Sequence, residues 1–168
     1  MPDPLAYSIR PTRDPAHFAA GARMMMTTDP WIRLGFTYEA CLQAFDGPCK
    51  EIYILESGGD LAGFVILQVC GSFSGYIQTL CVAGRFRGQG LGRELLRFSE
   101  ERIHQLSPNV FICVSDFNEP ARTLYEAWGF ELVGTLKNFV RDGVDELLLR
   151  KTLGPRMGYI PPGNAEAT

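Results

Sequence analysis

The stretch Leu80-Cys81-Val82-Ala83-Gly84-Arg85-Phe86-Arg87-Gly88-Gln89-Gly90-Leu91-Gly92-Arg93 decides the reading of this chain. An apolar, β-rich run from Tyr76 to Val82 feeds a glycine-rich turn. Beyond the turn, Leu91, Leu95 and Phe98, with Leu96 and Ile103, recur at helical spacing. A strand, a glycine loop and a helix in that order make an anion cradle. Glycine lets backbone N–H groups approach and point at phosphate oxygens. The helix N-terminus adds partial positive charge, and Arg87 and Arg93 bring full charges. A plain structural turn has the same local pattern, so the rest of the chain must break the tie.

The phosphate ligand is constrained by what the loop lacks. Its spacing is Gly-x-Gly-x-Gly, and residues 108 to 112 read Pro-Asn-Val-Phe-Ile, with no acidic residue to hold a ribose. A dinucleotide fold is therefore a weak reading. Gly92 precedes Arg93-Glu94, not Lys-Ser or Lys-Thr, so a nucleoside-triphosphate loop is weaker still.

Elements read outward from this loop. Tyr7 to Arg10 alternates and meets Pro11, which marks a first strand. Asp14 and Pro15 stand as N-cap and first residue of a helix that carries Phe18, Ala19, Ala22 and the run Met24-Met25-Met26, read as core filling. Asp29-Pro30 breaks it, and Thr37 caps a second helix that runs to Phe45. Glu51 to Glu56 and Leu61 to Cys70 form a hairpin about Ser57-Gly58-Gly59-Asp60. Asn109 to Val114 is a short buried strand. Ala121, Leu124, Tyr125 and Trp128 share one face of a helix that Gly129 ends. Phe130 to Val140 and Asp145 to Lys151 pair through Asp142-Gly143. A mixed α/β (α+β) fold follows, with a central sheet covered by helices. The segment 1–153 reads as one domain and 154–168 as a loosely held tail.

Bulk numbers close off several function classes. The 168 residues suit one domain, and 46% apolar with 21% charged residues is a globular balance. Net charge is −3 and the isoelectric point is near 5.4, which disfavours a nucleic-acid partner. No apolar run is long enough to span a membrane, and Met1-Pro2-Asp3-Pro4-Leu5 does not read as a signal peptide. The five cysteines, at 41, 49, 70, 81 and 113, are scattered. Cys70, Cys81 and Cys113 lie in apolar runs and read as buried thiols of a cytoplasmic protein. His17 and His104 have no partner at metal spacing, so no metal is expected. The eighteen glycines exceed the usual share of roughly 7%.

Two motifs settle the tie. Arg85-x-x-Gly88-x-Gly90, after a strand ending Leu80-Cys81-Val82, resembles the acetyl-CoA signature of the GNAT superfamily of N-acetyltransferases. Asn118-x-x-Ala121-x-x-x-Tyr125-x-x-x-Gly129-Phe130 resembles the second motif of that family. The element order matches from about residue 7 to residue 152. The resemblance implies a mostly antiparallel sheet of about seven strands, flanked by about four helices.

It also implies roles. The backbone of Leu80, Cys81 and Val82 would pair with the pantetheine arm of acetyl-CoA like an added strand. In this family a bulge there splays the fourth strand from the fifth. The N–H groups of Arg87, Gly88, Gln89, Gly90, Leu91 and Gly92, with Arg93 nearby, would hold the pyrophosphate. Asn118 would bond the pantetheine, and Tyr125 would protonate the departing thiolate. A core aromatic on an apolar face is the bland alternative for Tyr125. The implied reaction is direct attack of a neutral amine on the thioester, with a backbone N–H near Val82 stabilising the oxyanion.

The base does not carry over. Some relatives have a glutamate on the fourth strand, where Tyr76 stands here. The ribosomal-protein alanine N-acetyltransferases have one five residues before the asparagine, where Cys113 stands here. Asp116 and Glu39 are candidates through water, but each also reads as a solvated carboxylate. The acceptor is an amine, either a small molecule or a protein N-terminus, and a homodimer is left open. A non-catalytic acyl-CoA-binding module is the competing reading, kept alive by the missing glutamates.

Overall fold

Asp14 accepts a hydrogen bond from Ala16 N at 2.8 Å, and Pro15 fills the first helical position, so α1 (Pro15–Met26) starts where its cap dictates. The computed structural model describes residues 6–163. The reading of residues 1–5 as free of a leader lies outside them. β1 (Tyr7–Pro11) precedes α1, and α2 (Trp31–Leu34) and α3 (Tyr38–Gln43) follow it. Then come β2 (Lys50–Ser57), β3 (Asp60–Gln68) and β4 (Tyr76–Val82). A one-turn 3-10 helix at Gly84–Phe86 leads to α4 (Leu91–His104). β5 (Asn109–Ser115), α5 (Glu119–Ala127), β6 (Glu131–Arg141) and β7 (Val144–Thr152) complete the chain.

The seven strands are ordered β1-β2-β3-β4-β5-β7-β6. β4 and β5 run parallel, pairing Tyr76 with Phe111 and Ile77 with Ile112. β1–β2, β5–β7 and β6–β7 are antiparallel. This is the mixed, mostly antiparallel sheet that the motifs imply. α2 was not legible: four residues between Pro30 and a left-handed Gly35 (φ 73) are too few to show periodicity.

The chain forms two compact units, one of the chain up to Leu67 with Gln78–Ser99, the other of Gln68–Ile77 with the chain from Glu100 onward. The first is built on Ala22, Met25, Phe45, Ile52, Ile54, Phe64 and Cys81. Phe45 joins its aromatic members, 5.2 Å from the Phe18 ring and 5.0 Å from that of Phe64. Of the methionine run, Met25 is core and Met26 is 40% exposed.

In the second unit, Val110, Ile112 and Val114 are the buried phase of β5. α5 ends in a Schellman turn: Phe130 N bonds Tyr125 O and Gly129 N bonds Glu126 O, each at 3.0 Å. Glu100 accepts from Trp128 Nε1 and from Lys151 Nζ, both at 2.6 Å, and binds α4 to α5 and β7. Tyr159 donates to the His104 carbonyl at 2.7 Å.

The cysteine reading needs correction. Cys41, Cys81 and Cys113 are free, but Cys49 and Cys70 are disulfide-bonded, and Cys70 is exposed rather than a buried thiol. The apolar run before Cys70 belongs to β3, which ends at Gln68. Cysteine usage therefore does not argue for a reducing compartment. Among the described residues no helix is long and apolar enough to cross a membrane.

Candidate active site

The cradle lies wholly in the first unit. β4 alternates: Cys81 points into the core at 2% exposure, and Leu80 and Val82 are half-buried on the other phase. Burial pushes the Cys81 thiol up to about 12, so it stays protonated and serves as core. Gly63 of β3 lets the end of β4 approach closely, since a Cβ there would meet Cys81 O at 2.6 Å. Ala83 N bonds Ala62 O at 2.9 Å and fixes where β4 ends.

The loop beyond it is shaped by local bonds. Arg87 Nε donates to Val82 O at 3.1 Å, and Gln89 Nε2 donates to Arg85 O at 3.1 Å. Arg85 is held away by Asp60 at 3.1 Å and lies 4.8 Å over the Phe86 ring. Gly88 and Gly90 have φ of +74 and +85, a backbone state in which a side chain is strained. Gly92 has neither a positive φ nor a close contact. α4 then begins at Leu91, which is buried and anchors the loop.

The backbone N–H groups of Gly88, Gln89, Gly90, Leu91 and Gly92 find no acceptor among the described residues. Five adjacent unsatisfied donors, at the start of a fourteen-residue helix with Arg93 exposed beside them, suit a bound phosphate. Of the donors named from the sequence, the Arg87 N–H is spent on Gly84 O at 3.2 Å, so Arg87 has only its side chain to offer; Cys81 offers backbone only.

The second unit holds a polar cluster that the sequence did not assemble. Tyr76 of β4 and Cys113 of β5 lie close enough to influence each other's titration. Ser115 Oγ donates to Glu146 Oε1 at 2.6 Å, and these two are register partners on β5 and β7. Tyr76 is pushed well above the usual tyrosine range, by burial first and then by the charges of Cys113, Glu146 and Tyr125 around it. Burial also raises Cys113, and the nearby Glu146 charge adds to it. Glu146 itself is raised by burial, opposed by the Ser115 hydrogen bond and aided by Asp116.

Tyr125 is 7% exposed, in the last turn of α5, with its ring 6.0 Å from that of Phe130. It lies near enough to Tyr76 to bear on its titration, so it belongs to this cluster. Asn118 stands at the N-cap of α5 but makes no side-chain cap; its N–H bonds Ser115 O at 2.8 Å. Its carboxamide is not spent on the helix. Asp116 is exposed, and Glu39 lies in the first turn of α3.

Glu146 and Ser115 were missed. The one sequence signal was a glutamate in the β phase of Val144 and Leu148, inside an apolar run. No group of three His, Cys, Asp or Glu side chains able to hold a metal occurs among the described residues.

Residues 17–130 match the acetyltransferase (GNAT) family model. The chain belongs to this family. An N-alpha-acetyltransferase RimI of Mycobacterium tuberculosis is 28% identical over 137 residues, 79% of this chain and 82% of the relative. An N-alpha-acetyltransferase of Sulfolobus acidocaldarius is 28% identical over 117 residues, 62% of this chain and 70% of the relative. The crystal structure of Ard1 from Thermoplasma volcanium shares the fold, with a TM-score of 0.74 at 18% identity, over 90% of this chain and all of that one. The protein is thus a GNAT acetyltransferase enzyme, and acetyl-CoA is the family's acetyl donor. The enzyme reading stands over the non-catalytic module.

Proposed function

We propose that this acetyltransferase moves the acetyl group of acetyl-CoA to a primary amine by direct attack in a ternary complex, with a peptide α-amine as the preferred acceptor. The observation that carries the proposal is the cluster around Tyr125, in which the buried Ser115 hydroxyl and Glu146 carboxyl are hydrogen-bonded and no cation pairs with Glu146 among the described residues. Such a cluster suits proton transfer. In this reading the N–H groups of Gly88 to Gly92, with the Arg87 and Arg93 side chains, hold the pyrophosphate, the β4 backbone at Leu80 to Val82 receives the pantetheine arm, and Asn118 bonds that arm. Tyr125 gives its proton to the leaving thiolate.

Two considerations favour an α-amine. The relatives above are named N-alpha-acetyltransferases. An α-amine with pKa near 7.7–8.0 costs only about 1–1.4 kcal/mol to neutralise at pH 7, against roughly 4.6 kcal/mol for a lysine side chain. A small-molecule amine remains the other acceptor class.

The test is release of CoA thiol from acetyl-CoA with a panel of N-terminal peptides, lysine-side-chain peptides and small amines. Turnover highest on free α-amines supports the proposal. Turnover confined to small amines moves the acceptor class, and binding of acetyl-CoA with no turnover on any amine overturns the reaction.

A further inference from the structure

Glu146 is the one carboxylate in the fully buried class among the described residues, at 5% exposure. Buried carboxylates are ordinarily paired with a cation. Glu100 shows that arrangement in the same unit, with Lys151 Nζ at 2.6 Å. Glu146 has instead a single hydroxyl donor, Ser115 Oγ, on Oε1. Its second oxygen, Oε2, has no hydrogen-bond partner among the described residues. Glu146 is not fully sealed, since 5% of its surface stays open.

Among the described residues no positive charge acts on Glu146. β5 contributes Cys113 and Ser115, the turn after it Asp116, β4 Tyr76 and α5 Tyr125. β6 places apolar Leu136 opposite. Tyr76 and Cys113 lie together in the same cluster and feel the charge of Glu146. Glu146, from a third strand, is the carboxylate of this cluster.

We propose that Glu146 is the general base of the acetyl transfer, its Oε2 taking the proton that the acceptor ammonium must lose. This rests on the reaction proposed above. The ammonium R–NH3+ gives one proton to Glu146. The nitrogen lone pair then forms the C–N bond to the acetyl carbonyl, and the C–S bond breaks. Of the three ammonium protons, one stays on the amide, one ends on the CoA thiol and one reaches solvent. Ser115 is a positioning residue that holds Oε1 so that Oε2 faces the acceptor. Burial raises the affinity of Glu146 for a proton, which brings it closer to an α-amine and makes it a better base near neutral pH.

Glu146→Gln keeps an acceptor oxygen for Ser115 and removes the base. The acetyl acceptor is the best peptide of the panel, and kcat/KM is followed over roughly pH 5 to 9. The expected result is a loss of about 100-fold or more in kcat/KM and disappearance of the low-pH limb. Acetyl-CoA affinity should stay within about threefold, and Glu146→Asp should recover part of the rate. A variant within about threefold of the parent and with the same limb overturns the assignment while the reaction stands. If the parent acetylates no amine, both fall. Should Glu146→Gln not fold, 13C titration of the Glu146 carboxyl in the parent protein decides. Its midpoint must coincide with the kinetic limb, and a difference of more than about one pH unit overturns the proposal.

Discussion

Arg87 Nε donates to Val82 O at 3.1 Å, so the side chain that opens the cradle is tied back to the last residue of β4. This bond sets the angle at which the loop leaves the strand, and with it the aim of the N–H groups that follow. Arg87 is exposed, and its loss should change stability by no more than about 0.5 kcal/mol. Arg87→Met should weaken acetyl-CoA binding about tenfold, near 1.4 kcal/mol. Titration calorimetry with acetyl-CoA and with dephosphorylated pantetheine thioester separates the two effects: only the former should lose affinity.

The glycines of the loop divide by cause. Gly88→Ala and Gly90→Ala force a side chain into positive φ and should each cost about 1–2 kcal/mol of stability before any ligand is added. Gly92 is helical and unconstrained, so Gly92→Ala should raise the stability of the free protein by about 0.5 kcal/mol. If Gly92 serves the pyrophosphate, the same variant should bind acetyl-CoA more weakly. Urea melts with and without acetyl-CoA report both quantities, and a Gly92→Ala protein with unchanged affinity would remove that residue from the cradle.

The contact of Glu100 with Lys151 and Trp128 is structural and has its own pH signature. Burial acts against the Glu100 charge, but the hydrogen bonds of Lys151 and Trp128 outweigh it and hold its carboxyl below the usual range. A lowered folded pKa stabilises the protein above the ordinary value near 4.5, and that contribution is lost as pH falls through the folded value. Lys151→Met should cost about 1.5–3 kcal/mol at neutral pH. It should also flatten the loss of stability on acidification below pH 4.5. Denaturant melts at neutral and acid pH would show a constant difference if the pair contributes only packing.

Tyr125→Phe removes one hydroxyl from a buried ring that keeps its packing on Phe130. If Tyr125 is the acid, a chemistry-limited assay should show kcat lower by about 100-fold, with acetyl-CoA affinity nearly unchanged. The deficit should shrink for an acyl donor whose thiol leaves more readily. An equal deficit across donors of different leaving-group pKa would assign Tyr125 to packing alone.

The parts of the site differ in how far they were legible. The cradle is one contiguous stretch in which strand, turn and helix start follow each other, and a short segment with glycine at spacing two limits its own backbone. Asp14 and Gly129 likewise marked helix ends through bonds made within four residues. Cys70 misled because an apolar neighbourhood in sequence does not fix burial at a strand end. The cluster around Glu146 was not legible because Tyr76, Cys113 and Glu146 lie on three strands, far apart in the chain.

By itself, then, the sequence determined the order of the strands and longer helices, the caps at Asp14 and Thr37 and the glycine turn between β4 and α4, since these arise from interactions within a few residues. Tertiary structure alone decided that Glu146 is buried beside Ser115 without a cation. Register is the reason. Which side chains of β4, β5 and β7 share a face depends on how the strands pair, and desolvation of a carboxylate depends on everything packed around it.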